Sequence, residues 1–180
     1  MHKEMIILTV TDGKPYINQV KGLIKEYVTA LDRDLSFQNI DDELKDPSVK
    51  YTAPEGELLV AVDKYSVYGM VVYHRHSETR CEMKRLYVKP SCRGEKLGEK
   101  LICEIMKHAK EAGYKEMVLD TIEPLKAAIH LYEKYEFKRC EPYYNNPMSD
   151  VIYFRAILLV FSCHYGRIYF YTVIAYPLSL

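Results

Sequence analysis

A basic loop that contains glycine lies between a predicted strand and a predicted helix, and it is the strongest constraint on the fold. Residues 82–88 have the composition of a strand, and a helical pattern begins near Gly98. Gly94 and Gly98 let the backbone turn tightly and approach a ligand closely. The helix that follows points its unpaired N–H groups and the positive end of its dipole into the loop. A strand, a loop and a helix N-terminus in this order predict a site for a phosphate or pyrophosphate.

Length and composition predict one globular domain. The chain has 180 residues and a formal net charge of zero, with 48% hydrophobic and 28% charged residues. This length is sufficient for a sizeable core, and the balanced charge does not favour general binding to nucleic acid. The five cysteines are odd in number and lack Cys-x-x-Cys spacing, which argues against a disulfide framework and against zinc. We therefore expect free thiols, a cytoplasmic location and no metal cofactor.

The hydrophobic pattern predicts strands and helices in alternation along residues 5–154. Helical spacing is found in residues 17–31 and 97–109 and after Pro124, and a short helix is predicted at 39–44. Strands are predicted at residues 5–10, 58–62, 67–73, 80–88, 117–119, 137–140 and 151–154. Residues 74–79 are predicted to be a polar connection, on which His74 and His76 are interpreted as solvated side chains. The order β-α-(α)-β-β-β-α-β-α-β-β predicts a mixed α/β sheet.

Residues 156–180 differ in composition from the rest of the chain. They contain no Asp, Glu or Lys, and residues 164–167 interrupt two apolar blocks. A transmembrane helix needs roughly 20 apolar residues, and Arg167 would lie near its centre. The β-rich composition favours an added pair of strands, with a contact in a homodimer as its candidate role, over a membrane anchor. A tail that is not native to the domain, such as a readthrough or frameshift product, is the third alternative.

Residues 88–98 resemble the signature of the GNAT superfamily of N-acetyltransferases, Arg/Gln-x-x-Gly-x-Gly/Ala after a strand that ends in Val-x-Pro. Residues 131–137 resemble the superfamily's Leu-Tyr-x-x-x-Gly-Phe segment, and the element order is also similar. The resemblance implies an α+β fold over residues 1–155, with a mixed, mostly antiparallel central sheet that is flanked by helices and splayed at the cofactor site. Lys96 and Glu136 stand where the superfamily carries glycine. We expect Glu136 to matter little, provided that its turn does not require a positive φ.

The resemblance implies acetyl-CoA as the acetyl donor and a primary amine, in a small molecule, amino acid or peptide, as the acceptor. The amine would attack directly, since no cysteine is indicated as a covalent carrier. In relatives the pantetheine arm pairs with the strand that precedes the loop, and the loop holds the pyrophosphate. The residues that the resemblance assigns to cofactor binding are Tyr87, Val88, Arg93, Gly94, Glu95, Lys96, Leu97 and Gly98.

Two residues are candidates for catalysis. Glu82 matches an acidic position that some relatives use as a base, because an amine near pKa ~10.4 must lose a proton before it attacks. The alternative is that Glu82 only pairs with Lys84, Arg85 or another cation. Tyr132 matches the tyrosine that relatives place beside the CoA sulfur, where it would protonate the leaving thiolate. The alternative is an aromatic residue of the core on the apolar face of its helix.

Two functions from different classes remain open at this point. The first is an N-acetyltransferase for an amine, for which residues 143–147 are expected either to border the acceptor pocket, as in relatives, or only to cover the sheet edge. The second is a non-catalytic, acyl-CoA-binding or sensory module that has kept the fold, which the replacements at Lys96 and Glu136 favour. Because relatives are often dimers, a homodimer is also a candidate assembly.

Overall fold

The computed structural model describes residues 8–159, together with the backbone of residues 161–164 and 167–170. The helices are α1 (Ile17–Leu31), α2 (Ile40–Lys45), α3 (Leu97–Glu111) and α4 (Lys126–Lys134). The strands are β1 (Thr9–Asp12), β2 (Gly56–Val62), β3 (Val67–Arg75), β4 (Arg80–Val88), β5 (Glu116–Ile122), β6 (Lys138–Arg139), β7 (Val151–Ile157), β8 (Phe161–His164) and β9 (Arg167–Phe170).

Seven of these strands form one sheet, in the order β1-β2-β3-β4-β5-β7-β6. Every neighbouring pair is antiparallel except β4 and β5, which are parallel. The mixed, mostly antiparallel sheet predicted from the sequence is therefore confirmed. The strands β8 and β9 form a separate antiparallel pair.

Helices cover both faces of the sheet because its central strands are apolar on both sides. On β2, Val60 packs with Val20 and Leu23 of α1, whereas the adjacent Leu59 packs with Leu101 of α3. This alternation follows from the two-residue period of a strand. The helix α4 lies on the same side of the sheet as α3. The loop that precedes α3 therefore borders the space between these two helices and the sheet.

The sheet opens between β4 and β5. These strands are paired only from Arg80 to Glu82 and from Glu116 to Val118, and they separate beyond those residues. A β-bulge on β4 follows the point of separation, where Arg85 adopts a φ of 55°. A bulge bends its strand and increases the local twist. The splayed sheet implied by the resemblance is therefore present, and Glu82 lies at the last paired position.

Most of the predicted elements are found, with differences at their ends. The polar connection predicted at residues 74–79 is wrong for His74, which lies in β3 directly opposite Glu82. The strand β1 ends at Asp12, and residues 5–7 of the predicted first strand lie outside the described residues. The strand β7 continues to Ile157. The pair of β8 and β9 agrees with the strand pair predicted for the tail, most of whose other residues lie outside the described ranges.

Cys81, Cys92 and Cys140 have free thiols, as predicted. Cys103 is in a disulfide, so the expectation of a free thiol is wrong at that position. No three His, Cys, Asp or Glu side chains within the described ranges are grouped so as to hold a metal ion.

A search of the described residues for membrane-spanning helices finds none with the length and apolar character that a span requires.

The turn after α4 does require a positive φ, and the expectation that Glu136 matters little is therefore corrected. Glu136 has a φ of 61°, and the left-handed conformation costs a residue with a Cβ about 1–2 kcal/mol. Glycine avoids this cost but loses about 0.5–1 kcal/mol through the entropy of the unfolded chain. The ion pair of Glu136 with Lys138 is on the surface and contributes little.

We expect Glu136→Gly to raise the free energy of unfolding by about 0.5–1 kcal/mol, because the relief of the left-handed strain exceeds the entropy lost by glycine. Urea denaturation of the purified protein measures this change. Glu136→Ala is the matched control, since it removes the same carboxylate and keeps a Cβ in the left-handed conformation. Equal stability of the Gly and Ala variants would show that φ at this turn carries no energetic penalty.

Candidate active site

A groove of about 750 Å³ runs between β4, the loop after it and α4. Its volume lies within the range of about 300–1,000 Å³ that is common for ligand sites. Seven of the eight predicted cofactor-binding residues line it, and Glu95 does not. The seven are Tyr87, Val88, Arg93, Gly94, Lys96, Leu97 and Gly98.

The loop presents backbone donors and cations to this groove. Among the described residues, none accepts a hydrogen bond from the backbone N–H of Gly94, Lys96, Leu97 or Gly98. Lys96 adopts a φ of 57° directly before α3, and its ammonium has no ion-pair partner in the described part of the chain. Open N–H groups at a helix N-terminus beside an unpaired cation suit an anion such as a pyrophosphate.

The first turn of α3 packs closely against α4 at Gly98. A Cβ built on Gly98 would lie 3.2 Å from Cδ2 of Leu131, which also lines the groove. This distance is tighter than ordinary van der Waals contact, so Leu131 would have to move by a few tenths of an ångström for a Cβ alone. The γ-methyl groups of a branched side chain would add further crowding at the start of α3.

We expect Gly98→Val to raise the dissociation constant for acetyl-CoA at least tenfold, because the displaced helix start no longer directs its N–H groups at the pyrophosphate. Isothermal titration calorimetry measures the constant. Gly22→Val is the control, since a Cβ at Gly22 on α1 meets no atom within 4 Å. Unchanged affinity of the Gly98 variant would remove this loop from the cofactor site.

A smaller cavity of about 70 Å³ adjoins the groove where the sheet is open. The two share five lining residues, which are Tyr27, Leu31, Leu86, Leu125 and Ala128. Tyr132 of α4 lines the cavity with only 7% of its surface exposed. Its ring contacts those of Phe137 and Phe154, and no described residue hydrogen-bonds with its hydroxyl. Burial raises the pKa of the Tyr132 phenol, so this hydroxyl keeps its proton at neutral pH.

Glu82 lines neither the groove nor the cavity, and three donors surround its buried carboxylate. Nε2 of His74 lies 2.7 Å from Oε2, while Nζ of Lys84 lies 3.0 Å from Oε1. The hydroxyl of Tyr143 donates to Oε1 over 2.9 Å. Burial opposes ionisation, but the hydrogen bond with His74 and the charge of Lys84 outweigh it and lower the pKa of Glu82 to about 2. The carboxylate is therefore ionised and fully partnered.

Lys84 links Glu82 to a second buried carboxylate, that of Asp120 on β5. Nζ of Lys84 lies 3.6 Å from Oδ1 of Asp120. The other oxygen, Oδ2, accepts hydrogen bonds from the Tyr144 hydroxyl at 2.9 Å and from Nδ2 of Asn146 at 3.0 Å. Lys84 and Asp120 both line the small cavity.

Arg85 joins the β4 bulge to α2 through a buried ion pair with Glu43. Its Nε and Nη2 atoms donate to the two carboxylate oxygens of Glu43 at 2.7 and 2.9 Å, and Nη1 donates to Gln38 at 3.0 Å. The Tyr51 hydroxyl donates to Oε2 of Glu43 at 2.8 Å. These bonds hold one wall of the cavity, which Gln38 and Arg85 line.

Sequence reasoning missed Asp120 and the roles of Lys84 and His74. His74 was assigned to a solvated connection, whereas its ring is mostly buried against Glu82. Lys84 is predicted from the sequence only as the ion-pair partner that would give Glu82 a structural role and not a catalytic one. That the aromatic segment 143–147 borders the acceptor pocket stays a prediction. Its tyrosines Tyr143 and Tyr144 donate hydrogen bonds to Glu82 and to Asp120, respectively. The available signal was the two-residue alternation of side chains along β4 and β5. It places Glu82 and Lys84, which are two residues apart, on the same face of β4.

The sequence matches the acetyltransferase (GNAT) family over residues 22–137. An uncharacterised N-acetyltransferase of Schizosaccharomyces pombe is 45% identical over 141 residues, which are 77% of this chain and 86% of the relative. An uncharacterised N-acetyltransferase of Escherichia coli is 28% identical over 137 residues, covering 74% of this chain and 81% of the relative.

Solved structures of GNAT proteins have the same fold. A GNAT acetyltransferase from Staphylococcus aureus superimposes with a TM-score of 0.72 at 18% identity, covering 84% of this chain and 99% of the other. The N-acetyltransferase PseH of Campylobacter jejuni, solved in complex with acetyl coenzyme A, gives a TM-score of 0.58 at 18% identity over 84% of this chain and 99% of the other. With the splayed sheet, the open loop and the family match together, the chain belongs to the acetyltransferase (GNAT) family.

Proposed function

We propose that this protein transfers the acetyl group of acetyl-CoA to a primary amine by direct attack. The observation that carries the proposal is that the groove and the small cavity adjoin where β4 and β5 separate. The groove is lined by loop residues whose N–H groups have no acceptor among the described residues. Tyr132, whose hydroxyl has no described hydrogen-bond partner, lines the adjoining cavity. The loop suits the pyrophosphate of CoA, and the cavity suits the two reacting groups.

In the proposed reaction, the neutral amine nitrogen forms a bond to the thioester carbonyl carbon. The carbon–sulfur bond then breaks, and its electron pair leaves with the sulfur. The Tyr132 hydroxyl is suited to donate a proton to this thiolate, because burial keeps the phenol protonated and no described residue holds its proton. The phenolate that remains regains a proton from solvent, and the amine loses its proton to a carboxylate or to solvent, so the products are an amide and CoA thiol.

The role of Glu82 as the proton acceptor stays a prediction. A general base works best when its pKa is near the working pH, and the pKa of Glu82 is about 2. Glu82 does not line the cavity, and of its three partners Lys84 does. A proton from the amine would therefore reach Glu82 through Lys84 or Tyr143. Glu82 would act on the substrate only through these two side chains, which it positions.

Binding of acetyl-CoA followed by turnover with a panel of amines tests the proposal. We expect acetyl-CoA to raise the melting temperature, because a ligand that binds only the folded state stabilises it. Release of CoA thiol that depends on the added amine, with the acetylated amine found by mass spectrometry, is the expected activity. No stabilisation at millimolar acetyl-CoA would refute the cofactor site.

A non-catalytic acyl-CoA-binding module is the second candidate. The left-handed conformations of Lys96 and Glu136 at glycine positions of the family favour it, since they impose strain at the cofactor loop and after the Tyr132 helix. Stabilisation by acetyl-CoA without thiol release from any amine would identify this function. The cytoplasmic location and the homodimer stay predictions from sequence.

A further inference from the structure

The small cavity contains two polar groups whose arrangement indicates how an acceptor is bound. One is the hydroxyl of Tyr132, a residue that is 7% exposed, and this hydroxyl makes no hydrogen bond with any described residue. The other is Oδ1 of Asp120. In a packed interior such groups are normally paired, and a pair left open in a cavity beside the cofactor groove is suited to a polar ligand.

Asp120 is held firmly through one carboxylate oxygen and is open at the other. Oδ2 accepts the two hydrogen bonds from Tyr144 and Asn146, which orient the carboxylate. Oδ1 accepts no hydrogen bond from the described residues, and the Lys84 ammonium at 3.6 Å is too distant for one. An alkylammonium group has three donors and no acceptor, so it complements this oxygen.

Glu82 is not available to bind an ammonium group in the same way. Both of its oxygens already receive hydrogen bonds or ion-pair contacts, and it does not line the cavity. Of the two carboxylates beside Lys84, Asp120 is therefore the one that an incoming amine can contact.

The two cationic side chains that line the cavity, Lys84 and Arg85, are already paired with carboxylates of the protein. Lys84 lies between the carboxylates of Glu82 and Asp120, and Arg85 is bonded to both oxygens of Glu43 and to Gln38. Within the described ranges, no other Lys or Arg lines the cavity. Much of the remaining wall is apolar, and it includes Leu31, Leu35, Ile122, Leu125, Ala128 and Met148. A carboxylate placed here would be desolvated without a free cation, which is costly.

We infer that Asp120 binds the ammonium group of the acceptor and that the cavity selects primary amines without a carboxylate on the adjacent carbon. This inference rests on the proposed N-acetyltransferase function and names the class of its substrate. Asp120 anchors the nitrogen on the β5 side of the cavity that Tyr132 lines. Free α-amino acids are rejected because their carboxylate finds no cation to pair with.

Steady-state kinetics with matched amines test both parts of the inference. Isobutylamine and tyramine are compared with valine and tyrosine, which differ from them by the α-carboxylate. Valinamide keeps the bulk of that group without its charge, and rates are corrected for the ammonium fraction of each amine, which is the form that Asp120 is inferred to bind. We expect kcat/KM to be at least tenfold higher for each amine than for its amino acid, with valinamide grouped with the amines.

The variant Asp120→Asn keeps an oxygen that can accept both hydrogen bonds made to Oδ2, and it removes the charge. We expect it to raise KM for the amines at least tenfold while the dissociation constant of acetyl-CoA stays within about twofold. Asp42→Asn is the control, because Asp42 is an exposed aspartate on α2. Binding of acetyl-CoA to the Asp120 variant shows that it is folded.

The outcomes separate this inference from the function on which it rests. If amines are acetylated but valine and tyrosine serve equally well, the selection against carboxylates is refuted while the acetyltransferase function stands. If Asp120→Asn leaves KM for amines unchanged, Asp120 is not the anchor. If acetyl-CoA binds and no amine releases thiol, the proposed function fails and the inference fails with it.

Discussion

The variant Tyr132→Phe is expected to lower kcat about 100-fold, while the dissociation constant of acetyl-CoA changes less than twofold. A positioned general acid typically contributes a factor of about 10²–10⁴. The removed hydroxyl has no hydrogen-bond partner among the described residues and does not line the main groove, so folding and cofactor binding do not depend on it. Stopped or continuous assays of thiol release, combined with calorimetric titration of acetyl-CoA, measure the two quantities.

Tyr135→Phe is the matched control for this variant. Tyr135 follows α4 directly, is buried, and lines neither the groove nor the cavity. We expect its kcat to remain within about twofold of the wild-type value. If Tyr132→Phe also retained wild-type kcat, the thiolate would be protonated by solvent, and Tyr132 would be an aromatic residue of the core.

The variant Glu43→Gln is expected to lower the free energy of unfolding by about 3–5 kcal/mol at neutral pH. Removing one member of a buried ion pair leaves the other charge unpaired in a low dielectric. Arg85 and Glu43 are 4% and 6% exposed. Arg85 would keep its charge without the Glu43 carboxylate, because a guanidinium is not deprotonated in proteins. Urea denaturation followed by circular dichroism measures the loss.

The pH dependence of this loss provides a second readout. Burial raises the pKa of Glu43, but the hydrogen bonds and charge of Arg85 outweigh it, so the folded pKa lies below the ordinary value of 4.5. The pair therefore stabilises the fold fully above about pH 4.5, and this stabilisation disappears as the pH falls through the folded pKa. The difference between wild type and Glu43→Gln should shrink over that acidic interval.

Asp42→Asn serves as the control for Glu43→Gln on the same helix. Asp42 is exposed and pairs with Lys45 on the surface, so its loss should change stability by less than about 0.5 kcal/mol. An equal effect of both substitutions would mean that the Arg85 pair contributes no more than a surface contact. A small effect of Glu43→Gln would also imply that water reaches Arg85 in the variant.

The cofactor side of the protein was largely predictable because its parts are close together in the chain. The strand β4, the loop and α3 are consecutive, and seven of the predicted residues line the groove. Local sequence also indicated Lys96 and Glu136 as substitutions for glycine. It did not indicate that both turns require a positive φ, since the backbone conformation of a turn depends on the elements that it joins.

The acceptor side depends on contacts between distant segments. Tyr143 reaches Glu82 across 61 positions, and Arg85 reaches Glu43 across 42. The register of β3 against β4 places His74 opposite Glu82, and a shift by one residue would turn it to the other face. No local pattern contains this information, which explains why Glu82 was expected to be an available base.

The sequence by itself determined the class of fold and the loop that borders the groove, because hydrophobic periodicity and glycine placement are properties of consecutive residues. Only the tertiary structure decided which groups are available for chemistry. The separation of β4 from β5 beyond Glu82 creates the cavity, and the folding of residues 143–146 over β5 pairs one oxygen of Asp120 and leaves the other open. Whether a polar atom is available for chemistry depends on the partners that packing places beside it. Packing is a property of the whole chain.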